Sequence, residues 1–203
     1  MSGRRDAMLH EMGLGPIWRA RKTAGTSTPP DDAVVEAQAP ESSNASTSRV
    51  DAIARMDWDE LQASVNACTA CRLCKTRKQA VLGVGDRQAD WLFVGEGPGA
   101  EEDKLGEPFV GQAGKLLDAM LAAIDIQRGK DVYIANSVKC RPPDNRTPEP
   151  DETAPCWPYL QRQIALLKPR LVVALGRPAA QTLLGRGIKI GASRGQVFEH
   201  RGI

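Results

Sequence analysis

The chain has 203 residues, enough for one α/β domain together with a tail. Its 27 basic and 25 acidic residues leave a net charge of +2, so overall charge does not indicate a nucleic-acid-binding protein. No apolar run approaches the roughly 18 residues that a membrane span requires, and no signal-peptide stretch follows the N-terminal arginines. We therefore expect a cytoplasmic protein with no membrane contact.

Residues 1–50 differ in composition from the remainder of the chain. Residues 23–48 are rich in Thr, Ser, Pro and Ala. Such a segment cannot bury enough apolar surface to offset an ordering entropy of roughly 1–2 kcal/mol per residue. We predict a disordered tail or linker over 1–50 and one ordered domain over 51–203. The apolar residues at 14–18 leave open a second interpretation, a docking peptide for a protein partner.

The ordered part alternates helices with short apolar strands. Ile53, Met56, Leu61 and Val65 suit one face of a first helix, with Asp57 and Glu60 spaced like a capping pair. Strands that are apolar throughout and alternate with helices predict a parallel sheet covered on both faces. The predicted fold class is therefore α/β, a three-layer α/β/α arrangement around a central parallel sheet. We predict strands at 91–94, 132–135, 171–175 and 196–199, and helices at 112–125 and around 160–167.

The helix predicted at 112–125 has apolar residues at helical spacing, which we expect to face the sheet. They are Leu116, Leu117, Met120, Leu121 and Ile124.

Three polar or glycine positions come directly after predicted strands, namely Gly95, Asn136 and Gly176. Ligands of parallel sheets bind at the carboxyl ends of the strands. These positions therefore indicate where a binding site would lie.

The five cysteines fall into two compact groups. Cys68 and Cys71 form a C-x2-C turn that Cys74 extends, and Cys140 and Cys156 come from distant sequence. Two thiolates from the turn and two from the second group would complete a four-sulfur site, which zinc and a [4Fe–4S] cluster both accept. Spacing does not choose between these metals. Burial of the cysteines as small apolar residues is the remaining alternative.

A catalytic cysteine would need a histidine partner. The sequence has only His10, in the tail, and His200, in a polar stretch near the end. We interpret both as surface residues.

A glycine-rich loop, Gly95–Gly99, follows the first buried strand. It lacks the spacing of a phosphate-binding loop, and the acidic residues at 96 and 101–103 would repel phosphate. Such a loop suits a neutral ligand, or a water to be positioned and activated. A solvated acidic turn is the alternative.

Two further side chains have the chemistry of a pocket for a flat base. Phe109 lies in a glycine-flanked loop, where its ring could stack on an aromatic ligand. Asn136 carries amide donors and an acceptor, which match an edge that presents carbonyl, N–H and carbonyl groups. A strand-end cap is the alternative role for Asn136.

From about Ala67 onward, the chain resembles the family 4 uracil-DNA glycosylases. The similarity covers roughly two-thirds of the sequence and involves several motifs in order. The matching stretches are CTACRL (68–73), GEGPG (95–99), EDKLGEPFVGQAGKLL (102–117), VYIANSVKCRPPDNR (132–146) and ALG (174–176).

The resemblance implies a [4Fe–4S] cluster with a structural role. Its ligands would be Cys68, Cys71, Cys140 and Cys156, whereas Cys74 falls on a position that does not ligate in the family.

The resemblance also implies an enzyme of base excision repair that hydrolyses the N-glycosidic bond of uracil in DNA. Phe109 would stack on the flipped uracil, Asn136 would read its edge, and Glu96 would lie in the loop that forms the uracil and water site. Backbone groups around Gly95 and Gly97 would line the pocket. We expect a monomer that acts on uracil-containing DNA.

Arg141 and Arg146, beside the cysteine loop, are candidates for contacts with DNA phosphates. The alternative is that both are ordinary surface arginines.

The family pattern continues with a further strand, a His-Pro motif and a closing helix, whereas this sequence ends at Ile203. The resemblance thus implies that the last strand, the helix and an imidazole partner for the charge on uracil O2 are missing. Either the sequence is incomplete, or it is a short form that is weak or inactive. An Fe–S module that binds uracil-containing or single-stranded DNA without catalysis is the alternative function, and a zinc-stabilised interaction domain is a third.

Overall fold

The structure is a computed structural model that describes residues 49–193 and 195–203. The tail predicted over 1–50 lies almost wholly outside the described residues, so its disorder and its protein partner stay predictions. In the described part of the chain, no helix is long and apolar enough to cross a membrane.

A mixed sheet forms the centre of the described domain. Its strands are β1 (Gly83–Gly85), β2 (Trp91–Gly95), β3 (Val132–Asn136) and β4 (Leu171–Ala174), in the order β1-β3-β2-β4. β2 runs parallel to both β3 and β4, and β1 runs antiparallel to β3. The three strands predicted from apolar runs are thus confirmed, and their mutual directions are parallel as expected.

The antiparallel strand β1 was not predicted, because its sequence Gly-Val-Gly has no apolar pattern. Its glycines are needed for close approach to β3. A Cβ on Gly83 would lie 2.6 Å from the Tyr133 ring, and one on Gly85 would lie 2.9 Å from the Tyr133 Cα. The sheet is therefore mixed and not purely parallel.

Helices cover both faces of the sheet. They are α1 (Trp58–Asn66), α2 (Ala100–Leu105), α3 (Gln112–Ala122), α4 (Pro150–Thr153), α5 (Trp157–Leu167), α6 (Arg177–Leu184) and α7 (Ile190–Ser193). The capping pair predicted before α1 is present: the Asp57 side chain accepts from the amide of Glu60, and the Glu60 side chain accepts from the amide of Asp57.

Alternate residues of β2 and β3 point to opposite layers, as strand geometry requires. Leu92 and Val94 pack with the apolar residues of α5 and α6, whereas Phe93 and Ile134 pack with Leu117 and with Leu121 of α3. The three-layer α/β/α arrangement is therefore present. A further apolar cluster joins α1 to the cysteine-bearing loops.

Two details of the sequence-based prediction are wrong. Residues 196–199 do not form a strand, and Val197 is 94% exposed. The helix predicted at 112–125 is α3, which ends at Ala122. Of the five apolar residues on the predicted face, only Leu117 and Leu121 are buried; Leu116, Met120 and Ile124 are each more than half exposed. The helical spacing of the apolar residues located the apolar side of α3. It did not show how much of that side the sheet covers.

Candidate active site and cysteine cavity

A cavity of about 240 Å³ lies at the carboxyl ends of β2 and β3. The predicted residues Glu96, Gly97, Phe109 and Asn136 all line it. Gly95 lies directly beneath, because an added Cβ there would lie 2.5 Å from Phe109 Cζ. The structure thus brings these five residues to one place, whereas Gly176, the third strand-end position, is not among the residues that line the cavity.

Asn136 ends β3 and is buried, with 2% of its surface exposed. Its side-chain oxygen Oδ1 has no hydrogen-bond partner among the described residues. A buried polar atom without a partner costs about 1–3 kcal/mol, and native structures retain few of them. Asn136 Oδ1 is therefore available to accept a hydrogen bond from a ligand, and the alternative role as a simple strand-end cap does not satisfy this atom.

The Phe109 ring forms one wall of the cavity and packs at the edge of the apolar cluster between the sheet and α3. Its backbone adopts φ +56°, a left-handed conformation that is unusual for a bulky residue. Backbone conformations of this kind persist only where the surroundings enforce them, and they cluster at functional sites.

Glu102 supplies part of that enforcement. Its Oε1 accepts hydrogen bonds from the amides of Val110 and Gly111, each at 3.0 Å, and its Oε2 accepts from the amide of Gly99 at 3.0 Å. One carboxylate thereby ties the glycine-rich loop to the Phe109 loop. From the sequence, Glu102 was only one of several acidic residues; the one signal that could have identified it is its position three residues after Gly99, from which a glutamate can accept from the amide that precedes a helix.

Glu96 is half-buried at the cavity wall. Its backbone carbonyl accepts from the Val138 amide at 3.1 Å, so the loop after β2 stays in register with the chain after β3. Among hydrogen bonds between described residues, none involves the Glu96 carboxylate, which leaves it free to bind water.

Arg146 has a structural role that the sequence did not reveal. Its guanidinium binds both carboxylate oxygens of Glu152, at 2.6 and 2.8 Å, and Arg72 Nε binds Glu152 Oε1 at 2.7 Å. Glu152 is completely buried. Its hydrogen bonds with Arg146, followed by those with the Glu149 amide and Arg72, hold the pKa of this carboxyl at about 2, against the opposing effect of burial.

The second predicted phosphate contact, Arg141, donates from Nε to Asn145 Oδ1 at 2.8 Å. Asn145 and Arg146 both line the base cavity, so this loop forms part of the mouth of the site.

A second cavity contains all five cysteines: Cys68, Cys71, Cys74, Cys140 and Cys156. Within residues 49–193 and 195–203, no three Cys, His, Asp or Glu side chains converge closely enough to hold a single metal ion. The five cysteines therefore share one cavity without forming such a group among the described residues.

Several donors point at the cysteine sulfurs. Arg77 donates to Cys140 Sγ at 2.8 Å, and the Lys139 amide donates to Cys156 Sγ at 3.3 Å. Burial raises the pKa of Cys140, which the hydrogen bond from Arg77 opposes, and burial raises the pKa of Cys156 to about 12. Thiolates at these positions would therefore need a compensating positive charge.

Lys139 forms hydrogen bonds with a residue of each cavity. Its side chain is buried and donates from Nζ to the Asn136 carbonyl at 2.7 Å and to Gln163 Oε1 at 2.5 Å. Burial lowers the pKa of this amine to about 8. Because the Lys139 amide also binds Cys156, the chain between Asn136 and Cys140 is fixed at both ends.

His200 lies away from the base cavity. Its ring packs edge-on against Trp157, with 6.1 Å between ring centroids, and it borders an apolar groove beside β4. Burial lowers its pKa. In the described part of the chain, no imidazole lines the base cavity.

A family model described as the uracil DNA glycosylase superfamily matches residues 82–202. Among curated proteins, the type-4 uracil-DNA glycosylase of Pyrobaculum aerophilum is 45% identical over 72% of this chain and 76% of its own length. The type-4 uracil-DNA glycosylase of Thermotoga maritima is 48% identical over 68% of this chain and 72% of its own. A type-5 uracil-DNA glycosylase of Thermus thermophilus is 34% identical over 61% of this chain and 71% of its own.

Proposed function

Because the chain belongs to the uracil DNA glycosylase superfamily, we propose that it removes uracil from DNA by hydrolysing the N-glycosidic bond, as a type-4 uracil-DNA glycosylase. Its type-4 relatives support this assignment at 43–48% identity. The observation that carries the proposal is the unpaired Asn136 Oδ1 next to the Phe109 ring.

Uracil fits Asn136 through its hydrogen-bonding edge. Its N3–H can donate to Asn136 Oδ1, while the amide nitrogen of the same side chain donates to a neighbouring carbonyl of the base. Cytosine has an unprotonated N3 at this position, which would face Oδ1 as a second acceptor. The side chain therefore distinguishes uracil from cytosine, from which uracil in DNA arises by deamination.

Phe109 supplies the flat surface for the base. Uracil within a duplex is stacked, so it must rotate out of the helix before it can enter a cavity of this size. The Phe109 ring then replaces part of the stacking that the base loses. Phe109 already lies at the cavity wall, where a base that enters the cavity can lie against its ring.

In the hydrolytic step, Glu96 acts on the attacking water and Asn136 acts on the departing uracil. As the N1–C1′ bond breaks, its electron pair leaves with uracil and the sugar becomes positively charged. Water adds its oxygen to C1′ and loses a proton, and the Glu96 carboxylate at the cavity wall can orient this water and accept that proton. The Asn136 amide N–H stabilises the negative charge that develops on the uracil oxygens.

We propose that the cysteine cavity holds a [4Fe–4S] cluster. All five cysteines line this one cavity, and four cysteine thiolates are the usual ligands of such a cluster. The similarity of the chain to type-4 uracil-DNA glycosylases supports the choice of a cluster over zinc. We propose Cys68, Cys71, Cys140 and Cys156 as the ligands, with Arg77 and the Lys139 amide as donors to the sulfurs. The cluster would hold together the loops that carry them.

One observation favours a second candidate, an Fe–S protein that binds uracil-containing DNA without cleaving it. The described residues place no imidazole at the base cavity, and His200 packs against Trp157 instead. In this case the charge on the departing uracil would be stabilised by the Asn136 amide alone, and the chemical step would be slow.

The experiment that separates the two is a parallel measurement of base release and binding. The 203-residue protein, purified with its metal, is incubated with an oligonucleotide that contains one uracil and with a matched one that contains cytosine at the same position. Release of uracil but not of cytosine establishes the glycosylase. Preferential binding of the uracil oligonucleotide without release would establish the binding protein, and equal weak binding of both would reject the uracil pocket.

A further inference from the structure

We propose that Arg128 is a positioning residue that holds Phe109 in the orientation from which its ring contacts the base. The inference deepens the proposed function and rests on it. Arg128 does not line the base cavity, and it acts on the site through the backbone of the Phe109 loop.

The Arg128 guanidinium uses all three of its nitrogens. NH1 donates to the Pro108 carbonyl at 2.9 Å, NH2 donates to the Phe109 carbonyl at 2.7 Å, and Nε binds Asp118 Oδ1 at 2.6 Å. Its side chain is 22% exposed. Two successive carbonyls on one planar cation are a geometry that a lysine cannot reproduce, because its ammonium is a single point of charge.

The loop from Pro108 to Gly111 is thereby held from both sides. Arg128 binds its first two carbonyl groups, and the Glu102 carboxylate binds the amides of the last two residues. The positive and the negative group each face the backbone dipole of the opposite sign. Phe109 lies at the centre of this arrangement, where its left-handed backbone conformation costs about 1–3 kcal/mol unless the surroundings compensate.

The groups that hold Arg128 in place belong to regular structure. Asp118 lies on α3, and the backbone of Arg128 forms an isolated bridge with Val132 at the start of β3. The amino end of α3 also approaches the loop so closely that a Cβ on Gly114 would overlap the Phe109 carbonyl. The orientation of the ring is consequently set by the separation between α3 and β3 and not by the loop alone.

The test is a double-mutant cycle on uracil release under single-turnover conditions. The variants are Arg128→Gln, Phe109→Ala and the two combined, with Arg87→Gln as the control. Arg87 is an exposed arginine that pairs with Asp59 and does not line the base cavity. Misplacement of a binding group by about 1 Å can cost ~100-fold in rate, so we expect Arg128→Gln to lower the release rate by roughly tenfold to a hundredfold.

In the Phe109→Ala background, Arg128→Gln is expected to cause no further loss, because its effect passes through the ring. An equal loss in both backgrounds, or an unchanged rate for Arg128→Gln alone, would overturn the proposal. Arg128→Lys provides a variant that keeps the charge in case Arg128→Gln does not fold, and we expect it to retain only part of the release rate.

Amide hydrogen exchange provides a readout that does not depend on activity. Faster exchange of the Val110 and Gly111 amides in Arg128→Gln, with the exchange of β2 and β3 unchanged, is the expected result. Unchanged exchange of both amides would show that Arg128 does not order the Phe109 loop, even if release were slowed. If the wild-type protein released no uracil, the proposed function would fail, and the exchange measurement would still decide whether Arg128 orders the loop.

Discussion

Gly95 and Asn136 are register partners at the carboxyl ends of two parallel strands, and a Cβ on Gly95 would overlap Asn136 Oδ1. The same Cβ would lie 2.5 Å from Phe109 Cζ. The base cavity therefore depends on the absence of a side chain at Gly95, which lets the amide and the ring lie next to each other.

Gly95→Ala is predicted to abolish uracil release, because the new methyl group displaces either Asn136 or Phe109. Gly187→Ala is the matched control, since a Cβ there meets no atom within 4 Å. Single-turnover release and thermal unfolding of both variants check this. A Gly95→Ala protein that releases uracil at the wild-type rate would show that the base does not enter between these residues.

Phe109→Ala is predicted to weaken binding of uracil-containing DNA by roughly 1–3 kcal/mol, the usual contribution of one base stacked on an aromatic ring. Phe109→Tyr keeps an aromatic face and should retain most of the affinity. Titration of a uracil-containing oligonucleotide against the three proteins measures the difference. Equal affinities of the three proteins would show that the Phe109 ring does not stack on the base.

Cys140→Ser is predicted to lose the metal, whereas Cys74→Ser should keep it. Both residues line the same cavity, but Cys140 is buried and accepts a hydrogen bond from Arg77. Iron and zinc analysis with visible absorption spectra distinguishes the two variants. Full iron content in Cys140→Ser, or loss of iron in Cys74→Ser, would require a different set of ligands.

Stability is predicted to fall in acid through Glu152. Its hydrogen bonds with Arg146 and Arg72 hold the pKa of the folded state at about 2, below the value of roughly 4.3 expected for an unfolded chain. A depressed pKa stabilises the fold above the unfolded value, and this contribution is lost as the pH falls from about 4.3 through about 2.

Glu152→Gln should remove that part of the pH dependence and lower the free energy of unfolding at neutral pH by about 1–3 kcal/mol. Denaturant unfolding at several pH values measures both effects. Asp59→Asn is the control, because its ion pair with Arg87 involves a side chain that is 87% exposed. An acid dependence of Glu152→Gln identical to that of the wild type would rule out this carboxylate as its source.

The sequence predicted the sheet centre and the residues at the base cavity because both follow from local patterns. Apolar runs located β2, β3 and β4, and strand-end positions placed Gly95 and Asn136 at the edge of the sheet where ligands bind. The strand β1 has no such pattern, since it depends on contacts of glycine with Tyr133.

The groups that hold the site were not predicted, because their roles depend on partners distant in the chain. Glu152 binds Arg72 across 80 residues, and Arg128 binds the Phe109 carbonyl across 19. A charged residue is usually exposed, so composition and spacing treat such residues as surface. Only the folded geometry shows that the carboxylates and guanidiniums fix the loops around the cavity.

The central claim, that the Asn136 side chain binds uracil and stabilises its departing charge, is tested most directly by comparing uracil release by the wild type and by Asn136→Ala at equal iron content. We expect release by the wild type, and for the variant a loss comparable to the roughly 10²–10³-fold that follows removal of one stabilising donor. Equal rates of release by the two proteins would contradict it.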